Sequence, residues 1–235
     1  FLYPVGIMNE VTMTVTVNFA QMEPAKVILV DANFTTLSTL FNELQKYAPQ
    51  HDDKFLYADE FAFTTENLPE YDGVLILNSP SRHRKIRTNP ENVFAVMMEP
   101  GNRLEHPWMF KKLSQYSKVF SPVVSEVNVI PSHGFLGWYL TMSYAELSEL
   151  KLPAKTKQIS CIASNLTNLS GHRKRKEFVD HLRASMPEID FFGKGINYIQ
   201  SKEEALLPYK YSIAIENTSI ENYFTEKISD CFLSY

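Results

Sequence analysis

Short apolar runs that end in a polar residue alternate with stretches of helical apolar spacing along most of this 235-residue chain. That alternation restricts the fold more than any other feature. Parallel strands are buried on both faces and so read as continuous apolar runs. Each parallel pair also needs a crossover between its strands, most often a helix. AKVILVD, Ala25 to Asp31, is such a run. Leu37, Leu40, Phe41 and Leu44 follow at helical spacing within Thr36 to Tyr47. KFLYAD, YDGVLILN, NVFAVMME and KVFSP read as further strands, and Pro107 to Tyr116 as a helix with its proline near the start. Closer to the N-terminus VTMTVTV, Val11 to Val17, alternates apolar residues with threonine like a half-buried strand.

The stretch from Leu150 to Lys157 is polar and carries Pro153, and a domain boundary is placed there. A second series follows. KQISCIASN is a strand running into a loop, and Arg175 to Met186 a helix with Phe178, Val179 and Leu182 on one face. EIDFFGKG is a strand ending in glycines, KYSIAIEN another strand, and FTEKISDCFL a helix. The prediction is α/β, with two Rossmann-like parallel-sheet domains over residues 1–150 and 151–235. Open α/β sheets bind ligands at the carboxyl ends of their strands. The loops after Met98, Ala163, Phe192 and Ile215 are therefore the ones where a site is expected.

Composition narrows the field. With 44% hydrophobic and 21% charged residues the chain is expected to fold. A net charge of -4 gives no basic excess for a nucleic-acid partner. Cys161 and Cys231 lie in apolar segments without metal-ligand spacing and read as small buried hydrophobes. No apolar run approaches the ~18 residues of a membrane span. The chain starts at Phe1 rather than Met and stops at Tyr235 after an apolar run, so both ends read as cut.

The densest chemistry lies in YKYSIAIENTSIENYFTEKISDCFLSY, Tyr209 to Tyr235. A strand from Tyr211 to Ile215 presents Glu216 and Asn217 at its carboxyl end. A polar loop follows, and Thr225, Glu226 and Lys227 open a helix with Thr225 as N-cap. Ile228, Cys231 and Phe232 form the expected buried face of that helix. A helix start offers backbone N–H groups and partial positive charge to a phosphate. A lysine in the first turn opposes the helix dipole, and a bound anion would explain it. Glu226 is placed to accept hydrogen bonds from sugar or ribose hydroxyls. A capped surface helix with a solvated lysine is the competing reading.

IENTSIENYFTEK resembles the signature of the family 10 glycosyltransferases, the α-1,3/4-fucosyltransferases, and in particular their bacterial branch. It keeps Glu216, Asn217, Tyr223, Thr225, Glu226 and Lys227, with Ile215 where the pattern often has Phe. ASNLTNLSGHRKRKEFVDHL is similar to the family segment in which Ser-Asn (Ser164, Asn165) ends a strand and an arginine opens the next helix three residues before an aromatic (Arg175, Phe178). His172 completes a Gly-His segment of the bacterial type, and Arg173 and Lys174 are close rivals of Arg175. In NVFAVMMEPGNRLEHPWMF, Glu99 followed by Pro100 occupies the position of the family's catalytic base, with Glu105 as the nearest competitor.

The resemblance implies a GT-B arrangement in which the first domain favours the acceptor and the second holds the donor. It implies inverting transfer of fucose from GDP-fucose to a glycan hydroxyl. Arg175 and Lys227 hold the diphosphate, a task suited to a guanidinium's forked donors. Asn165, Glu216, Asn217, Tyr223, Thr225 and Glu226 complete the donor site, and Glu99 removes the acceptor proton. The partners implied are a GDP-sugar and a glycan or glycoconjugate acceptor, with no cofactor and no metal. His106, Trp108, His133, Trp138 and Tyr139 could line the acceptor cleft, although large aromatics more often serve packing. In the family the domain continues beyond the last helix, so the C-terminal domain here is expected to be incomplete. Two other functions stay open: a GT-B enzyme using another nucleotide sugar, and a nucleotide-sugar-binding module without catalysis.

Overall fold

KVILVDA forms the first strand, β1 (Lys26–Ala32), fully buried from Leu29 onward. The computed structural model describes residues 26–81, 85–100, 106–123, 127–134, 137–151 and 153–234. The expected strand at Val11 to Val17 and the rival carboxylate Glu105 lie outside them. β1 is joined by β2 (Gln50–His51), β3 (Leu56–Ala58), β4 (Phe61–Thr64), β5 (Gly73–Leu77), β6 (Val93–Val96), β7 (Lys118–Ser121) and β8 (Val129–Pro131). They form one sheet in the order β2-β3-β4-β1-β5-β6-β7-β8. From β4 to β8 neighbours run parallel, whereas β2, β3 and β4 pair antiparallel. A two-residue turn at Asp59–Glu60 joins β3 to β4, with Asp59 at φ 50. Aspartate is one of the few residues that adopt this backbone at low cost, so KFLYAD leads into a hairpin rather than a helix.

One sheet face packs Leu29, Val74, Ile76, Ala95 and Val119 against Met109, Leu113 and Tyr116. The helix expected from Pro107 to Tyr116 is instead two 3-10 turns, Pro107–Phe110 and Leu113–Gln115. Lys112 between them sits at φ 56, which no α-helix accommodates. The break lets Met109 and Leu113 both reach the core, where each is about fully buried. Among the described residues no α-helix separates β5, β6, β7 and β8. In the first half the regular strand–helix alternation therefore holds only for β1 and the helix after it, α1 (Leu37–Gln45). Thr36 caps α1, and Leu40 packs on Val30 and Ala32 of the opposite sheet face. The remainder of that face floors a cavity of about 920 Å³ beside Tyr47, Trp138 and Tyr139.

A short helix, α2 (Tyr144–Ser148), carries a capping box between Ser143 and Glu146. After it the second sheet comprises β9 (Lys157–Ile162), β10 (Ile189–Phe192) and β11 (Tyr209–Ile213), all parallel, in the order β10-β9-β11. The crossovers are α3 (Ser170–Ser185) and α4 (Glu203–Leu206), and α5 (Glu226–Leu233) follows β11. Both sheets are thus parallel-rich α/β layers. α3 begins at Ser170, ahead of the expected Arg175, which places that arginine in the second turn. Its buried face carries Arg175 and Val179, with Leu182 packed alongside, while Phe178 is 49% exposed. The expected face of α5 is also turned. Asp230 is buried, whereas Ile228 and Phe232 are 41% and 72% exposed. A lysine and a backbone N–H hold Asp230 inward, as described below. Cys161 is buried and Cys231 half-buried, and both are free thiols.

Candidate active site

The chain leaves central β9 for β10 on one side and then crosses to β11 on the other. Such a reversal opens a crevice at the carboxyl ends of the strands. A cavity of about 200 Å³ lies there, lined by Ser164 after β9, Gly193 after β10, Ala214 after β11, and by Arg175, Glu226 and Lys227. Two glycines permit this closeness. A Cβ on Gly193 would sit 2.0 Å from the Ala163 carbonyl oxygen, and the residue adopts φ 121. A Cβ on Gly171 would sit 1.6 Å from the carbonyl oxygen of Asn217, so the first turn of α3 rests directly on the loop after β11.

That loop is organised by Glu216. Its carboxylate accepts the Thr225 N–H at 2.8 Å, the Thr225 hydroxyl at 2.8 Å and the Lys227 ammonium at 3.0 Å. Thr225 is buried and caps α5 through the Lys227 N–H, while Lys227 Nζ also donates to its hydroxyl at 2.9 Å. Two expectations are thereby refined. The ammonium in the first turn has a carboxylate of its own loop as partner, so opposition to the dipole needs no external anion. Glu216 and Thr225 brace the loop and are not on the cavity wall. Tyr223 donates to Asn217 Oδ1 at 3.1 Å, and Asn165 donates through Nδ2 to the Gly195 carbonyl at 2.5 Å. These three likewise lie beside the cavity rather than on it. Glu226 does face it, with Oε1 3.6 Å from both Lys202 Nζ and Lys227 Nζ.

Arg175 differs from every other cation here. It is 8% exposed, one terminal nitrogen donates to the Ser164 hydroxyl at 3.1 Å, and its Nε has no hydrogen-bond partner. Among the described residues it forms no ion pair. Burying an uncompensated charge costs several kcal/mol, a cost that a bound anion would offset. Its rival Arg173 donates instead to the Thr167 carbonyl at 3.1 Å.

The first half meets this loop at His133. His133 lies against the Phe224 ring, centroids 4.7 Å apart. Its neighbour Gly134 is pressed on Met98, where a Cβ would come within 2.9 Å of the backbone. Glu99, next along, is half-buried. Its field reaches the second half. Burial foremost, then Glu216, Glu99 and Glu226, push the Tyr223 phenol up, with Arg175 opposing. Burial, then Glu226 and Glu99, push Tyr139 up as well. The Glu99 carboxylate and the loop after β11 thus share one electrostatic neighbourhood. Of the aromatics expected to line an acceptor cleft, Trp138 lines the larger cavity and meets Tyr47 edge-on, centroids 4.7 Å apart. His106 and Trp108 pair at 6.0 Å, and Trp108 packs on the first core, on the opposite sheet face from that cavity.

Sequence reasoning overlooked Lys202, Glu203 and Asp230. Lys202 Nζ is 2.5 Å from Asp230 Oδ2, and Asp230 Oδ1 accepts the Tyr139 N–H at 2.7 Å. Glu203 accepts both the N–H and the hydroxyl of Thr141. A positive residue just before α4 and an aspartate one turn into α5 give no local signal, because their partnership exists only across the fold.

Residues 152–235 match the family model described as glycosyltransferase family 10 (fucosyltransferase), C-terminal. With a cationic cavity at the switch point of a parallel sheet, that match makes the chain a glycosyltransferase. No curated protein and no solved structure matches it. Residues 152–235 thus carry the C-terminal segment of glycosyltransferase family 10, the fucosyltransferase family, whose members take a nucleotide-sugar donor and a glycan acceptor. No helix among the described residues is long and apolar enough to cross a membrane.

Proposed function

We propose that the chain transfers fucose from GDP-fucose to a hydroxyl of a glycan acceptor with inversion at the anomeric carbon. The observation that carries this reading is the buried guanidinium of Arg175, without a carboxylate, on a cavity shared with Lys227. The cavity's 200 Å³ is below the ~300–1,000 Å³ that enclose a whole ligand and suits the diphosphate of a nucleotide sugar. Negative charge grows on that diphosphate as the glycosidic bond breaks, so cations fixed there stabilise the transition state more than the ground state. Glu226, facing the same cavity, accepts hydrogen bonds from ribose or fucose hydroxyls. Glu99 takes the proton of the attacking hydroxyl. One base suffices for a single displacement, because the diphosphate leaves without needing a proton once its charge is held.

In this reading residues 1–150 form an acceptor-side domain and residues 151–235 the GDP-sugar domain, arranged as in GT-B enzymes. Charge neutralisation is assigned to Arg175 and Lys227 rather than to a metal. Among the described residues no group of three or more His, Cys, Asp or Glu could hold one. In this reading transfer survives chelation. Calorimetry with GDP and UDP on the 235-residue chain tests the donor. GDP should bind and UDP should not, and Arg175→Met should weaken GDP at least tenfold. Glu99→Gln should keep GDP affinity and lose roughly 100-fold or more in transfer rate, the scale of one general base. An Arg175→Met chain that binds GDP like the parent overturns the proposal.

A further inference from the structure

Lys202 lies on the donor cavity with Lys227, and nothing in the family motif points to it. It immediately precedes α4, with its side chain 22% exposed. Three contacts fix it. Asp230 Oδ2 lies 2.5 Å from Nζ, Glu226 Oε1 lies at 3.6 Å, and the Tyr139 ring centroid is 5.0 Å away. An ammonium has three donors in a tripod. One is spent on Asp230, the Glu226 contact is too long for a hydrogen bond, and the Tyr139 ring face takes at most one more N–H. At least one donor is left for the cavity.

The charge balance on the wall makes use of it. A nucleotide diphosphate carries more than one negative charge, and among the described residues of the wall only buried Arg175 and exposed Lys194 lack a carboxylate partner. Lys227 is neutralised by Glu216 at 3.0 Å. Glu226 lies 3.6 Å from both lysines and belongs fully to neither. When its carboxylate turns to a sugar hydroxyl, both ammonium groups gain net field toward the cavity. Asp230 cannot follow Lys202 outward. It is 1% exposed and also bound to the Tyr139 N–H, so it acts as a fixed post that holds the lysine in place.

We infer that Lys202 is a third cation of the donor site, contacting the diphosphate beside Arg175 and Lys227, and that Asp230 positions it. This rests on the diphosphate reading of the cavity given above. The inference also ties donor binding to the first half, because the post that orients Lys202 grips Tyr139, a residue whose ring faces Lys202 itself.

Calorimetry with GDP, GMP and guanosine on the parent chain, Lys202→Met and Lys202→Arg tests it. The expected result is a tenfold or greater loss of GDP affinity in Lys202→Met, a loss of threefold or less for GMP and none for guanosine, with Lys202→Arg recovering most of the GDP affinity. Asp230→Asn should reproduce the GDP loss in part, with the same sparing of guanosine. Unchanged GDP affinity in Lys202→Met, or an equal loss for all three ligands, overturns the inference. Equal loss would show a scaffold effect. Should Lys202→Met not fold, Lys202→Gln and Lys202→Arg carry the same comparison. If the parent chain itself fails to bind GDP, the donor reading falls first and takes Lys202 with it. A parent that binds GDP beside an indifferent Lys202→Met removes Lys202 alone.

Discussion

Gly171 shows how a single residue sets the spacing between the start of α3 and the loop after β11. The start of α3 and the loop after β11 touch backbone to backbone, and a methyl group at 171 would overlap the Asn217 carbonyl at 1.6 Å. Such a contact cannot be relieved by a side-chain rotation, because the obstructing atom is main chain. Gly171→Ala should destabilise the chain by about 1–3 kcal/mol, the usual cost of overpacking, read from the denaturant midpoint. It should also weaken GDP binding, since Arg175 rides on the displaced helix. Local sequence marks this glycine only as part of a Gly-His segment. That the atom it spares belongs to Asn217, 46 positions later, is a fact of the fold. Arg175 is similar. The basic run at 173–176 announces a cation in this region, but burial alone separates Arg175 from its neighbours.

At the scale of elements, α5 is the part whose identity the sequence carries most fully. Thr225 is its N-cap as the residue type demands, and the helix runs over Glu226–Leu233. The side that turns inward was not legible. Helical spacing offers Ile228 and Phe232, yet the buried position is Asp230, because Lys202 and the Tyr139 N–H supply partners that compensate its burial. Thr225 does two jobs, capping α5 and receiving Glu216 and Lys227 in a region 3% exposed. Thr225→Ala should cost about 2 kcal/mol, the upper range for a lost cap, by chemical denaturation. Thr225→Ser keeps the hydroxyl and should recover most of it. A loss in the serine variant equal to that in alanine would assign the effect to the methyl group's packing instead.

Across the whole molecule, residues 138–142 are the keystone between the two sheets. On one side Tyr47 donates to the Trp138 carbonyl at 2.8 Å and Lys46 to the Leu140 carbonyl at 3.1 Å. On the other, Asp230 and Glu203 hold Tyr139 and Thr141. Burial raises the Glu203 carboxyl, but bonds from the Thr141 hydroxyl and N–H outweigh it and hold the pKa below the ordinary 4.5. Between that lowered value and 4.5 the unfolded chain binds more protons than the folded one. The stabilisation is therefore complete above about pH 4.5 and is lost as pH falls through the lowered pKa. Asp230, pushed up by burial, works in the opposite sense. Comparing the parent with Glu203→Gln isolates the first effect. The variant should melt lower at neutral pH, and the gap should close on acidification below pH 4.5. A gap independent of pH would remove Glu203's charge from the keystone.

The sequence by itself determined β1, β3, β5 to β7 and β9 to β11, because short apolar runs of this kind have nowhere to go but a buried sheet, and it pointed to the family of the C-terminal segment, because Glu-Asn and Thr-Glu-Lys lie within one short stretch of chain. Only the tertiary structure decided which charge stays uncompensated, which face of each helix turns inward, and that Lys202 and Asp230 meet Tyr139. Those outcomes depend on groups far apart in the chain, whose energies of interaction exist only once the backbone has brought them within a few ångströms.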